Sequence, residues 1–121
     1  APNFSLGAIL MMRYAKDAAR YFSHIDIIEK HHTNKKDAPS GTALKTAQMI
    51  QTATGTHPSI HSIRLPGIVA EQEVLLGGED ETLSIYHRSI DRRSFMPGVR
   101  LACKRVVTLD KLIYGLEEIL D

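Results

Sequence analysis

Residues 25–43 read IDIIEKHHTNKKDAPSGTA, and this stretch divides into three parts by residue type. The first part, 25–32, is rich in β-branched residues at its start and largely alternates apolar with polar side chains, which predicts a strand. The second part, 33–39, is polar and bears lysines, which is typical of a loop. Ser40 then suits the N-cap of a helix whose apolar residues share one face and which ends near Gly55. The stretch therefore predicts a strand-loop-helix unit.

The rest of the chain predicts further helices and strands around this unit. A helix capped by Ser5 precedes it, because apolar residues recur there at helical spacing. Pro97 suits the first turn of a later helix, and Asp110 suits the cap of a final one. Glycines and acidic residues at 77–81 indicate a hairpin turn between two strands. The further strand candidates are 60–65, 69–76 and 82–88. Together these elements predict an α+β fold with a mostly antiparallel four-stranded sheet and helices on one face.

Composition and charge argue against several classes of protein. The chain has 121 residues, enough for one modest core, and a formal net charge of +1, which favours neither nucleic acid nor an anionic membrane as a partner. The longest apolar stretch, 6–12, is too short to cross a bilayer. Cys103 is the one cysteine and has no partner for an internal disulfide. A reducing compartment, and hence the cytoplasm, is the expected location.

Ser40-Gly41-Thr42 forms a candidate anion pocket at the start of the second helix. The first amides of a helix have no intrahelical partner and lie at the positive end of the helix dipole. Gly41 has no side chain to obstruct a ligand, and the Thr42 hydroxyl adds a donor. A carboxylate or a phosphate suits such a pocket. The alternative is an ordinary N-cap without a ligand.

Two histidines and two lysines lie within ten residues of this pocket, at His31, His32, Lys35 and Lys36. The lysines can neutralise an anion, and the histidines can exchange protons near neutral pH. If the strand runs through both histidines, their side chains leave on opposite faces of the sheet. The alternative is a solvated basic loop after a strand that ends in two histidines.

Other kinds of site have less support. Zinc usually needs three or four ligands, and neither HExxH nor a paired CxxC motif is present, so no metal site is expected. The Walker A motif is absent, and so is the GxGxxG turn with which a Rossmann domain binds a dinucleotide. Ser40 lacks the base and the exposed elbow that a serine nucleophile needs.

The run E-x-H-H-x-x-K-x-D-A-P-S-G-T-A at 29–43 resembles the signature of the dihydrodipicolinate reductases. Segments 1–5, 64–67 and 92–98 resemble other parts of that family, so the resemblance covers essentially the whole chain, while the family's Rossmann half is absent from it. The resemblance implies the substrate-binding and oligomerisation half of an NADH- or NADPH-dependent enzyme of lysine and diaminopimelate biosynthesis. That enzyme reduces dihydrodipicolinate, or its 4-hydroxy-tetrahydro precursor, to tetrahydrodipicolinate.

The resemblance also implies roles for particular residues. His31 and Lys35 would be the catalytic pair that supplies the proton after hydride transfer, and the charge of Lys35 would offset that of the substrate. Gly41 and Thr42 would bind a substrate carboxylate, with His32 beside them. The segment expected to contact the nicotinamide is Ala1, Pro2, Asn3 and Phe4, and these residues are equally compatible with a hinge that leads into the first helix.

The family's second domain pairs its sheet with those of other subunits, which implies a homotetramer. On this basis residues 1–109 form the substrate-binding and oligomerisation domain, and 110–121 form a helix that packs on the Rossmann half. The chain alone is expected to have no reductase activity, because it lacks a dinucleotide fold. Two alternatives remain at this point: a non-catalytic oligomerisation module, and a module that binds a phosphate-like anion.

Overall fold

The computed structural model describes residues 5–91 and 96–106, and for 102–106 it describes the backbone only. The described residues form three α-helices, one 3-10 turn and four strands. Their bounds are α1 Leu6–Ala18, the 3-10 turn Ala19–Tyr21, β1 His24–His31, α2 Gly41–Thr54, β2 Ser59–Arg64, β3 Ala70–Gly78, β4 Glu81–Ser89 and α3 Met96–Val106. The expected α+β class is confirmed. The candidate cofactor residues 1–4 and the expected helix 110–121 lie outside the described residues.

The sheet has the strand order β2-β1-β3-β4, and its pairing is mixed. β1 pairs antiparallel with β3, and β3 with β4, as the prediction of a mostly antiparallel sheet requires. β1 pairs parallel with β2, however, because α2 connects them, and a helical crossover returns the chain in the same direction. The expectation of a mostly antiparallel sheet is confirmed, with one parallel pair that the sequence did not indicate.

The hairpin between β3 and β4 is tighter than the sequence indicated. Gly77 and Gly78 belong to β3 and pair with Thr82 and Glu81, so the turn is two residues long instead of five. Asp80 adopts the left-handed conformation with φ 60°, which aspartate tolerates better than most residues. The acidic residues, and not the glycines, make this turn.

Helix α2 begins and ends where the sequence predicted. The Ser40 hydroxyl oxygen accepts a hydrogen bond from the Ala43 amide at 3.2 Å, so Ser40 is the N-cap. Gly55 ends the helix in the left-handed conformation with φ 79° and donates its amide to the Gln51 carbonyl at 2.7 Å. These two caps fix the length of α2, the helix that connects β1 to β2.

The core lies between one face of the sheet and the helices α1 and α2. The pairing register decides which side chains lie in one row across the strands. The central row, which consists of Ile27, Val74 and Ile85, is apolar. Ile27 and Val74 are fully buried there, with Ile50 of α2 in the same cluster. The cluster from α1 consists of Ala8, Ile9, Met11, Met12 and Ala15. The expected placement of helices on one face is confirmed for α1 and α2.

The next row on the same face is polar, although much of it is buried. It consists of Ser62, Glu29, Gln72 and His87, one from each strand. Glu29 is fully buried and Gln72 is 4% exposed. The helix-facing surface of the sheet therefore changes from an apolar core to a polar floor within two residues along each strand. No helix among the described residues is long and apolar enough to cross a membrane.

Candidate functional site

A cavity of about 1030 Å³ opens over the polar end of the sheet, beside the start of α2. Its volume is at the upper end of the range for ligand pockets in proteins, roughly 300–1,000 Å³. The site residues predicted from the sequence that line it are His31, His32, Lys35 and Thr42. Gly41, the remaining substrate-site candidate, begins α2 directly before Thr42. A Cβ atom added at Gly41 would meet nothing within 4 Å, so the helix start is open there.

The two histidines do not leave on opposite faces of the sheet. β1 ends at His31, whose carbonyl accepts a hydrogen bond from the Leu65 amide at 3.1 Å. The backbone then turns, because the Lys35 amide donates to the His32 carbonyl at 3.2 Å. His31 and His32 consequently line the same cavity.

A buried carboxylate, that of Glu29, lies beneath the cavity. Arg64 of β2 donates two hydrogen bonds to it, at 2.7 and 3.0 Å, in a bidentate arrangement. His31 contacts it through Nδ1 at 2.8 Å. The Ser40 amide donates to it at 2.7 Å and the Ser62 hydroxyl at 3.0 Å. One carboxylate thus joins β1, β2 and Ser40, the residue before α2.

These contacts decide the charge on Glu29. Burial by itself raises the pKa of the carboxyl group, but the hydrogen bonds from Arg64, His31, Ser40 and Ser62 together lower the pKa from 4.5 to about 2. The same pairing raises the pKa of Arg64 above its usual value. Glu29 is therefore an anion and Arg64 a cation at neutral pH, and their charges offset each other.

His31 is held in a defined orientation by this pair. Its Nδ1 lies against the Glu29 carboxylate, which leaves Nε2 as the ring nitrogen that a ligand can contact. Burial lowers the pKa of His31, the hydrogen bond and charge of Glu29 oppose that effect, and the charges of Lys35 and Arg64 add to it, with a net lowering from 6.5. The imidazole is consequently neutral at neutral pH when no anion is bound.

Arg64 also anchors the loop that carries Lys35. Its Nε donates to the Lys35 carbonyl at 3.2 Å, and its terminal nitrogen donates to the Asp37 carbonyl. The Lys35 amine lies 3.6 Å from the exposed carboxylate of Asp37. An exposed ion pair of this kind contributes about 0–1 kcal/mol, so an anionic ligand can readily replace Asp37.

The inward side chains of β3 and β4 add two polar groups to the cavity lining, Gln72 and His87. The Gln72 amide nitrogen donates to the Thr46 hydroxyl at 2.9 Å, and Thr46 donates in turn to the Thr42 carbonyl at 2.7 Å. His87 lies 3.2 Å from the Ser5 hydroxyl, and burial lowers the pKa of its ring. A chain of hydrogen bonds thus connects the middle of the sheet to the first turn of α2.

The sequence assigned no contact in the site to four residues of this arrangement, although Arg64 begins a segment that resembles the family: Ser62, Arg64, Gln72 and His87. Glu29 belonged to the signature run but had no assigned contact. The strand alternation places each of them inward, yet an inward polar residue in a half-exposed strand gives no sign of its partner. No group of three or more histidine, cysteine, aspartate or glutamate side chains among the described residues is arranged to hold a metal ion.

Comparison with known proteins shows the family to which the chain belongs. The family described as "Dihydrodipicolinate reductase, C-terminus" matches residues 7–120. The 4-hydroxy-tetrahydrodipicolinate reductase of Legionella pneumophila (strain Paris) is 56% identical over 99% of this chain and 58% of its own length. That of Geobacillus thermodenitrificans is 52% identical over the whole chain and 54% of its own length. This chain thus spans somewhat more than half the length of these curated relatives.

A solved structure supports the same relationship at the level of the fold. It is described as dipicolinate-bound dihydrodipicolinate reductase from Paenisporosarcina sp. TG-14, and it superposes with a TM-score of 0.92 at 45% identity. The match covers 99% of this chain and 53% of that one. The chain belongs to the dihydrodipicolinate reductase family and corresponds to its C-terminal domain.

Proposed function

We propose that this chain is the substrate-binding half of an NAD(P)H-dependent reductase that converts 4-hydroxy-tetrahydrodipicolinate to tetrahydrodipicolinate in the cytoplasmic synthesis of lysine. The observation that carries the proposal is the single cavity that His31, His32, Lys35 and Thr42 line at the start of α2. Family membership and the description of one relative as dipicolinate-bound support it.

The charges around the cavity suit a planar ring with two carboxylates. Glu29 is compensated by Arg64 and lies outside the cavity lining. The lining contains two lysines, Lys35 and Lys36, and three carboxylates, of which Glu71 contacts Lys30 and Asp37 contacts Lys35, while the third is Asp91. The helix dipole of α2 adds partial positive charge at Gly41 and Thr42. One carboxylate would contact the α2 start, and Lys35 would leave Asp37 to contact the ligand.

The proton required by the reduction would come from His31 and Lys35. His31 is neutral before the ligand binds, but a bound dianion favours the imidazolium form because it adds negative charge beside the ring. The protonated Nε2 would then be a donor that faces the ligand. Lys35 would stabilise the negative charge and share the proton transfer.

The nicotinamide cofactor, NADH or NADPH, would supply the hydride when it is bound. The cavity is larger than one dicarboxylate ring needs, and part of its lining is apolar, at Ala8, Met11 and Val69, which fits a second flat ring beside the substrate. The role of Ala1, Pro2, Asn3 and Phe4 at the nicotinamide stays part of this proposal. The dinucleotide itself would be bound mainly by a Rossmann half of the complete enzyme.

Binding of dipicolinate (pyridine-2,6-dicarboxylate) to this chain tests the substrate site. We expect saturable binding by calorimetry, and we expect Thr42→Val to weaken it about tenfold because one hydrogen bond to a charged group is lost. Thr52→Val is the matched control, since Thr52 is exposed further along α2 and does not line the cavity. If the chain bound phosphate but did not bind dipicolinate, it would instead be a phosphate-binding module.

The outer face of the sheet is the proposed contact between subunits of a homotetramer. Its outward apolar side chains include Ile28 and Leu75, which are half-exposed, and Tyr86, which is 48% exposed. Their strands β1, β3 and β4 are adjacent, so these side chains form one surface. A second sheet packed against this face would remove it from water.

Light scattering tests this contact directly. We expect the wild-type chain to form a tetramer, and we expect Leu75→Arg to shift it to smaller species because a charge would be buried at the centre of the contact. Leu44→Arg is the matched control, because Leu44 is 53% exposed on α2 and lies on the other side of the sheet. A wild-type chain that is monomeric at high concentration would contradict the assignment of this surface.

A further inference from the structure

We propose that Glu29 is a positioning residue, which together with Arg64 fixes the ring of His31 and the loop that carries Lys35. As a result, Nε2 of His31 and Nζ of Lys35 face the same ligand. The proposal rests on the proposed function of the cavity and extends it to a group beneath the cavity. The Glu29 side chain is completely inaccessible and does not line the cavity, so it does not touch the ligand itself.

The first step concerns the proton on His31. An ionised carboxylate only accepts hydrogen bonds, so the Nδ1 that lies 2.8 Å from Glu29 must carry a hydrogen. In the neutral ring this leaves Nε2 with a lone pair and directs it to the cavity. When a dianion binds, the second proton enters at Nε2, the position from which it can be transferred to the ligand.

The second step concerns the loop. Arg64 uses both terminal nitrogens on Glu29, which fixes the plane of the guanidinium. From that plane Nε and a terminal nitrogen hold the carbonyls of Lys35 and Asp37. Without the carboxylate, the guanidinium would lose its two charged contacts and keep only those to the carbonyls of Ile63, Lys35 and Asp37, so it would hold the loop less firmly.

The groups that face His31 decide how its titration responds. Glu29 faces it from β1, Arg64 from β2, and Lys35 from the loop. Glu29 is the one anion among these three groups, and it favours the protonated ring, whereas Arg64 and Lys35 oppose it. Removal of the Glu29 charge should therefore lower the pKa of His31 further. It should also allow the neutral ring to adopt both the Nδ1–H and the Nε2–H tautomer.

Nitrogen-15 NMR of the histidine rings tests the proposal on the whole chain. In the wild type we expect His31, assigned with a His31→Gln variant, in the Nδ1–H form. In Glu29→Gln we expect a lower titration midpoint and a mixture of tautomers, together with about tenfold weaker binding of dipicolinate. A purely structural role for Glu29 would change stability without changing the titration of the ring.

Asp26→Asn is the matched control. Asp26 lies on the same strand and also contacts a histidine, His61, at 2.9 Å, but both side chains are 55% exposed on the opposite face of the sheet. We expect this variant to weaken the contact with His61 and to leave the tautomer and the titration of His31 unchanged.

A wild-type His31 in the Nε2–H form would overturn the proposal, and so would a Glu29→Gln variant whose His31 keeps the wild-type tautomer and midpoint. The wild-type spectrum does not depend on Glu29→Gln, so it decides even if that variant fails to fold. These spectra are recorded without ligand. An Nδ1–H form in a chain that does not bind dipicolinate would therefore support the positioning role and overturn the proposed function.

Discussion

Replacement of Arg64 by methionine should destabilise the domain by about 3–5 kcal/mol, the usual cost of leaving one partner of a buried ion pair without the other. The side chain of Glu29 is inaccessible to water. Among its described hydrogen-bond partners, Arg64 is the one that carries a positive charge at every ordinary pH. Small domains are stable by only about 5–15 kcal/mol, so this loss should be evident in urea denaturation followed by circular dichroism.

A double variant shows whether the uncompensated charge is the cause. Glu29→Gln combined with Arg64→Met removes both charges, so it should be more stable than Arg64→Met alone although two contacts are missing. If the free energy of unfolding of Arg64→Met lay within about 1 kcal/mol of that of the wild type, the pair would be hydrated and would contribute as weakly as a surface pair.

The same pair makes stability depend on pH in the acid range. The pKa of Glu29 falls from 4.5 in the unfolded chain to about 2 in the folded one, so its contribution is complete above pH 4.5 and is lost as the pH falls toward 2. The shift corresponds to roughly 3 kcal/mol. In Arg64→Met the pKa of Glu29 should rise, and this part of the acid dependence should shrink.

Replacement of Lys35 by methionine in the complete enzyme should lower kcat by about 10²–10⁴-fold, the range for loss of a positioned acid or base. The physical reason is that methionine keeps the length of the side chain but provides neither the charge that offsets the dianion nor a proton. KM should rise as well, because Lys35 lines the cavity proposed to bind the substrate. Steady-state kinetics with NADH or NADPH gives both constants.

Lys16→Met is the matched control for this experiment. Lys16 lies in the last turn of α1 and does not line the cavity, so its loss removes the same charge away from the proposed site. We expect kcat within a few-fold of the wild type. If Lys35→Met behaved like Lys16→Met, the role of Lys35 in the reaction would be wrong.

The strand-loop-helix unit at 25–43 was predictable because its signals are local. The caps at Ser40 and Gly55 depend on residues close in sequence, and so does the alternation of β1. His31, His32, Lys35 and Thr42 lie within this unit, and the local chain geometry brings them to one cavity.

The contacts beneath the cavity depend on strand pairing, which no local pattern specifies. Arg64 meets Glu29 across 35 positions of sequence because β1 and β2 are parallel and in a register that sets Ser62 against Glu29. The expectation of a mostly antiparallel sheet did not indicate which neighbour β1 would have on that side. Alternation shows that Glu29 and Gln72 point inward, but not that both belong to one row.

The change from apolar to polar rows on one sheet face separates the part of the domain that lines the cavity from the part that forms the core. Ala70 lies beside the ligand cavity, whereas Val74 is in the apolar cluster four positions along the same strand, about 13 Å away. Effects at such a distance usually add. Changes at Ala70, beside the proposed ligand, and at Val74, in the core, should therefore act independently, so that selection can alter thermal tolerance without disturbing the site.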